Sequence, residues 1–189
     1  AGGHGLQVFD LTQLGEVTNP PVAFTEDAHY AGFGNCHNIA INEATARAYA
    51  VGTGTFSGGL HILDISTPTA PALIGSFAED GYTHDAQVVI YTGPDADHTG
   101  KEVAFAFNEN SIAIVDVTNA GDPVMISNTG YSASAYTHQG WLTEDQRYLL
   151  VNDELDEDGS VNTRTYIFDC LDLDSPQLIG THLGSTPAI

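Results

Sequence analysis

Apolar and polar residues alternate along the chain in short runs rich in β-branched and aromatic side chains, and no helical period persists for the length of a helix. One run recurs four times, an alternating apolar strand that ends in aspartate: GLQVFDL (5–11), GLHILDIS (59–66), SIAIVDVT (111–118) and RTYIFDCL (164–171). Its aspartates, Asp10, Asp64, Asp116 and Asp169, are spaced by 54, 52 and 53 residues. After three of the copies a proline-containing turn leads into a further short strand, in STPTAPALIGSF, TNAGDPVMISNT and LDSPQLIGTH.

A second marker is a strand led by histidine: HNIAIN from His37, HDAQVVIY from His84 and HQGWLT from His138, at spacings of 47 and 54. Between each of these and the next aspartate-ended strand lies one more β-rich run, ARAYAVG, EVAFAFN or RYLLVND. Each unit therefore predicts four antiparallel strands. Such a unit repeating about every 50 residues predicts an all-β fold built of β-propeller blades. The blades are expected at 36–77, 83–129 and 137–184, preceded by a half blade at 5–26 that supplies two outer strands. Three and a half blades leave strand edges open. The expectation is thus a segment of a larger propeller, single in its domain organisation over 1–189, completed by the rest of the propeller chain or by another protomer.

In an up-and-down blade, the start of the innermost strand and the loop between the second and third strands share one face. His37, His84 and His138 are expected there, with the loops 52–59, 108–110 and 152–163. Strand alternation points equivalent histidines of neighbouring blades at one central region. Three converging imidazoles with an open coordination position suit Zn, Cu or Fe, or supply an acid/base group. The alternative is that each imidazole bonds a backbone carbonyl of the next blade and staples the ring. Tyr82 and Tyr136, two residues before two of these histidines, and Asp85 are candidate supporting partners behind such ligands, or else pack with their polar ends toward water. Cys36 stands beside His37 as ligand or filler. The insertion TGPDADHTGK (92–101) falls on the far side, which takes His98, Asp95 and Asp97 away from the axial cluster.

The hairpin NDELDEDGSVNT (152–163) adds a candidate calcium loop formed by Asp153, Glu154, Asp156, Asp158, Ser160 and Asn162. Asp156, Asp158 and Gly159 match the middle of a D-x-D-x-D-G pattern, with Glu154 in its first position. Thr165 stands where a bidentate Glu is expected, and strands flank the loop in place of helices. A solvated acidic hairpin is the competing reading. The strand-ending aspartates are read as turn formers that accept backbone N–H groups. GTGTFSGG (52–59) joins two strands and precedes no helix, so it is not a phosphate cradle. No nucleophile elbow or CxxC pair occurs.

Charge narrows the partners. Against 25 Asp and Glu there are four Lys and Arg in 189 residues, a net charge of −21. Such a chain repels phosphate backbones and anionic membranes, which excludes nucleic acid as a partner. The same acidity opposes compaction unless salt screens it or divalent cations bind. Two cysteines make no disulfide framework and leave the redox compartment unread. No apolar run reaches the ~18 residues of a transmembrane segment, and no targeting segment is read.

The segments GLQVFDL, HNIAINEATARAYAVG, GGLHILDIS, DGYTHDAQVVIYTGPDADHTGKE, IVDV, YTHQGWLTEDQRYLLVNDELDE and NTRTYIFD together resemble the LVIVD-repeat proteins of the choice-of-anchor B family. The resemblance spans essentially the whole chain. It implies a secreted or cell-surface β-propeller held by varied C-terminal anchors, without an established enzymatic activity, and a further histidine-led strand after Ile189. The expected function is a binding or interaction module with a ligand or metal site on the histidine face and a surface protein or glycan as ligand. The alternatives are a metalloenzyme with a three-histidine metal and a structural component of a surface layer or filament bridged by cations.

Overall fold

The computed structural model describes residues 3–132, 134–155 and 162–187. β1 (Leu6–Val8) and β2 (Ala28–Tyr30) pair antiparallel as a small N-terminal sheet, separated by a 3-10 turn at Leu11–Glu16. Three four-stranded sheets follow, each an up-and-down meander in chain order. The first holds β3 (Asn38–Asn42), β4 (Arg47–Val51), β5 (Leu60–Asp64) and β6 (Ala72–Phe77). The second holds β7 (Asp85–Ile90), β8 (Glu102–Asn108), β9 (Ser111–Asp116) and β10 (Val124–Thr129). The third holds β11 (Thr137–Leu142), β12 (Tyr148–Asp153), β13 (Asn162–Asp169) and β14 (Gln177–Pro187). The inner strands β3, β7 and β11 lie side by side, as in adjoining propeller blades.

The sheets stack face to face, and the pleat explains their sequences. On β8, Ala104 and Ala106 turn toward the first sheet and join Tyr49, Val51, Leu60 and Ile62. Val103 and the larger Phe105 and Phe107 turn toward the third sheet and meet Leu149, Val151, Tyr166 and Phe168. Because the second sheet is covered on both faces, its central strands are largely apolar on both faces and buried throughout except at Asp116, the end of β9. A smaller cluster of Ala48, Ala50, Leu63 and Phe33, with Leu6 and Tyr30, seats the N-terminal sheet on the first.

Two features repeat in every blade. Asp10, Asp64, Asp116 and Asp169 each accept the backbone N–H two residues on, from Thr12, Ser66, Thr118 and Leu171, at 2.9, 2.8, 3.0 and 3.1 Å. They are the turn formers that the sequence pattern implies. The third and fourth strands of each sheet also slip by one residue, leaving Ile74, Ile126 and Ile179 unpaired. Such a bulge sharpens local twist. Ile74 and Ile126 pack into the gap between one sheet and the next. Ile179, with no sheet beyond it among the described residues, is 57% exposed.

Polar ties cross the sheet interfaces. The buried Glu102 carboxylate accepts from Asn42 Nδ2 at 2.7 Å, Thr45 Oγ1 at 2.6 Å and Arg47 Nη1 at 2.5 Å, all from the first sheet's β3–β4 hairpin. Cys36 and Cys170 are both free thiols, the first exposed and the second buried.

Candidate functional site on the histidine face

His37 and His84 sit directly ahead of β3 and β7, and His138 lies at the start of β11, so the side-by-side inner strands carry all three rings to one place. The backbone N–H groups of His37 and His84 bond Val51 O and Phe107 O, which extends each inner strand's pairing as far as its histidine. The rings form a close row, each tilted against the next by 52° and 40°. The centroids of His37 and His84 are 3.9 Å apart, and those of His84 and His138 are 4.0 Å apart.

His84 is the centre of the row and is buried. Its Nδ1 lies 3.1 Å from the His138 carbonyl oxygen. A carbonyl only accepts, so Nδ1 carries the proton, and Nε2 is left with a lone pair when the ring is neutral. Burial lowers the His84 pKa below its usual 6.5, and the neighbouring His138 and His37 push the same way. The ring is therefore neutral at pH 7. One of the three histidines thus makes the interblade staple to backbone, and that staple leaves its other nitrogen available.

Tyrosines and carboxylates frame the row. Tyr136 stands edge-on to His84 at 5.4 Å, and Tyr82 lies 6.4 Å from His37 and 6.5 Å from His84. The Tyr136 hydroxyl is pushed up to about 12, first by burial and then by the charge of Glu109 beside it, with Glu154 adding to the effect. Tyr82 is raised by burial, then by Glu109 and Cys36. Glu154 Oε2 is 3.7 Å from His138 Nε2. Asp85 points elsewhere: its Oδ1 accepts from Asn38 Nδ2 at 2.6 Å and from the Ala86 N–H, bracing β3 against β7. The Cys36 thiol donates to Asn38 O at 2.8 Å.

The glycine-rich loop at 52–59 has a role that the sequence did not disclose. Gly52 (φ +60°) and Gly58 (φ +84°) lie under the aromatic part of the site. A Cβ on Gly52 would stand 2.5 Å from the His37 Cβ and 2.7 Å from the Tyr82 hydroxyl. A Cβ on Gly58 would stand 2.7 Å from the Tyr82 ring. Both positions demand glycine twice over, for backbone conformation and for space.

Among the described residues, two groups bring candidate ligand atoms all within 4.8 Å of one another: His84, His138 and Glu154; and Asp95, His98 and Asp174. His37 lies against the His84 ring but belongs to neither group. The second group is at the opposite end of the blades, with Asp95 and His98 in the β7–β8 connection and Asp174 in the β13–β14 connection. There Lys101 Nζ donates to His98 Nδ1 at 3.2 Å, so Nε2–H donates to Asp174 Oδ2 at 3.1 Å. Asp95 accepts the buried Leu173 N–H at 2.9 Å. This is a clasp between the second and third sheets, and sequence reasoning missed it because Asp174 lies 76 residues from His98.

Of the candidate calcium residues, Asp156, Asp158 and Ser160 lie outside the described residues. Asp153 is buried and accepts four hydrogen bonds: from the Tyr131 hydroxyl, the Ala135 and Tyr136 N–H groups and the Leu155 N–H. It fixes the segment that delivers Tyr136 and His138. Asn162 donates to Gly184 O at 2.8 Å. Glu154 is the member of the set beside the histidines.

Two stretches, residues 53–79 and 104–129, match the LVIVD repeat family model. Each stretch ends with the aspartate-ended strand, its turn and the bulged strand of one blade. In fold the chain is similar to the solved structure of the protein from Lactobacillus plantarum, at 15% identity and a TM-score of 0.53. That similarity covers 77% of this chain and 41% of the other, so the chain spans less than half of that structure's length. No curated protein matches the chain. Repeat, neighbour and sheet order together make this a repeat-containing β-propeller fold. Among the described residues no helix is long and apolar enough to cross a membrane.

Proposed function

We propose that this propeller serves as a binding module and takes up a ligand or a transition metal at its histidine face. The observation that carries the reading is the row of His37, His84 and His138, with ring centroids 3.9 and 4.0 Å apart beside Glu109 and Glu154. A neutral, oriented imidazole at its centre and carboxylates at its edge favour a cation over an anion. Zn, Cu and Fe are the metals that such donors suit. Calcium is proposed only for the acidic hairpin at 153–162, as a screening ion.

A place outside the cell or on its surface, as in the choice-of-anchor B family, and a surface protein or glycan partner belong to the same proposal. The third sheet supports a protein neighbour. Trp141, Leu150 and Ile179 are 65%, 38% and 57% exposed there, at positions that the next sheet covers in the first two blades. A further sheet, from the rest of the propeller chain or from another protomer, fits that face.

Titration with zinc chloride and copper(II) chloride, followed through the histidine ring resonances, tests the histidine face. The reading expects His37, His84 and His138 to respond together while His61 and His98 do not. Absence of any response on that face, or an equal response of every histidine, contradicts it.

A further inference from the structure

We infer that the metal held on this face is a zinc-like divalent transition ion ligated by His84, His138 and Glu154, with His37 as a close neighbour outside the ligand set. The inference rests on the metal reading of the histidine face and goes beyond it by naming the ligands and the class of ion.

The geometry selects these three residues. One ligand atom from each lies within 4.8 Å of the other two, and the group excludes His37. His84 and His138 come from adjacent inner strands, β7 and β11. Glu154 follows β12, the strand paired to β11, and its backbone N–H is pinned to Tyr136 O at 2.9 Å. Three ligands therefore arise from two blades, on backbone fixed by strand pairing. His84 already has the orientation that a metal-binding imidazole requires: Nδ1–H is held by a main-chain carbonyl, which leaves Nε2 as the nitrogen available to a metal. His138 Nε2 faces the Glu154 carboxylate at 3.7 Å, and Glu154 is exposed enough to swing by the short distance that a ~2.0–2.1 Å metal bond needs.

The donor set fixes the class of ion. Two imidazoles and one carboxylate suit Zn or Cu, whereas Ca and Mg require all-oxygen shells. Three protein ligands leave a coordination position open on the solvent side, where a water or a donor group of the binding partner completes the shell. The carboxylate also explains a coincidence in the sequence. The acidic hairpin and the histidine row share one face because Glu154 belongs to both.

Isothermal titration of the full chain with zinc chloride at pH 7.5 tests this, using the wild type, His84→Ala, Glu154→Gln and His37→Ala. The expected result is one zinc site in the wild type, weakened about tenfold or more by both His84→Ala and Glu154→Gln. His37→Ala should change the affinity by less than about threefold, and excess calcium chloride should not displace the zinc. Glu154→Gln alters an exposed side chain and leaves the fold intact, so its result stands even if His84→Ala lowers stability. Full affinity in Glu154→Gln together with a large loss in His37→Ala overturns this inference in favour of a three-histidine site and leaves the broader reading in place. Failure of the wild type to bind zinc stoichiometrically overturns both.

Discussion

Asp153 is the residue on which the histidine face depends most, although it touches no ligand position. Its carboxylate gathers Tyr131, Ala135, Tyr136 and Leu155 around the start of β11. Removing a buried acceptor orphans those donors, at about 1–3 kcal/mol for the group left unpaired. Asp153→Ala should therefore lower the urea unfolding free energy by about that much, and a change below about 0.5 kcal/mol would show that the carboxylate is not the anchor. Gly58 makes the complementary case, since it matters for what it lacks. Gly58→Ala should cost about 1–3 kcal/mol, the scale of a forced left-handed residue, while also displacing Tyr82. Gly180→Ala, with nothing within 4 Å of its added Cβ, should stay within about 0.5 kcal/mol in the same denaturation series.

Among the elements, the blade hairpins repeat one electrostatic device. Backbone and hydroxyl groups of Ser66 hold Asp64 below its usual 3.8; Thr12 does the same for Asp10, and Arg147 leads the effect on Asp169. At Asp116 partial burial works upward, but Thr118 and Lys101 outweigh it. A carboxylate with a depressed folded pKa stabilises fully above its unfolded value of about 3.9, and that stabilisation is lost as pH falls through the lowered value. Melting temperature should thus drop as pH falls below about 4, and Asp64→Asn should show a shallower drop over the same range. A parallel drop in both proteins would remove the turn aspartates as the cause. These aspartates were legible in the sequence because their effect is local, reaching two residues ahead. So were the four-strand units, since spacing and alternation are local too. The isoleucine bulges, the His98–Asp174 clasp and the glycine seat under Tyr82 were not. The clasp and the glycine seat depend on how one blade meets another, which no single blade's sequence carries, and the bulges depend on a one-residue slip between the third and fourth strands that alternation does not specify. The convergence of the histidines was readable because equivalent positions in a repeat occupy equivalent places; the membership of Glu154 was not, because it follows from side-chain reach across β11 and β12.

For the whole molecule, the charge of −21 and the proposed cation site on the histidine face are two sides of one balance. Repulsion among exposed carboxylates opposes compaction and is screened within about 10 Å at 0.1 M salt. Melting temperature should rise between about 10 mM and 0.5 M sodium chloride, and a flat response would show that the acidity carries no net strain. The central claim, however, is that this face gathers the charge around a metal. Zinc K-edge X-ray absorption on protein loaded with one equivalent tests it most directly. The account predicts the scattering signature of two imidazoles together with an oxygen donor, in a first shell near 2.0–2.1 Å. A spectrum without imidazole scattering, or a protein that retains no zinc after desalting, would contradict it.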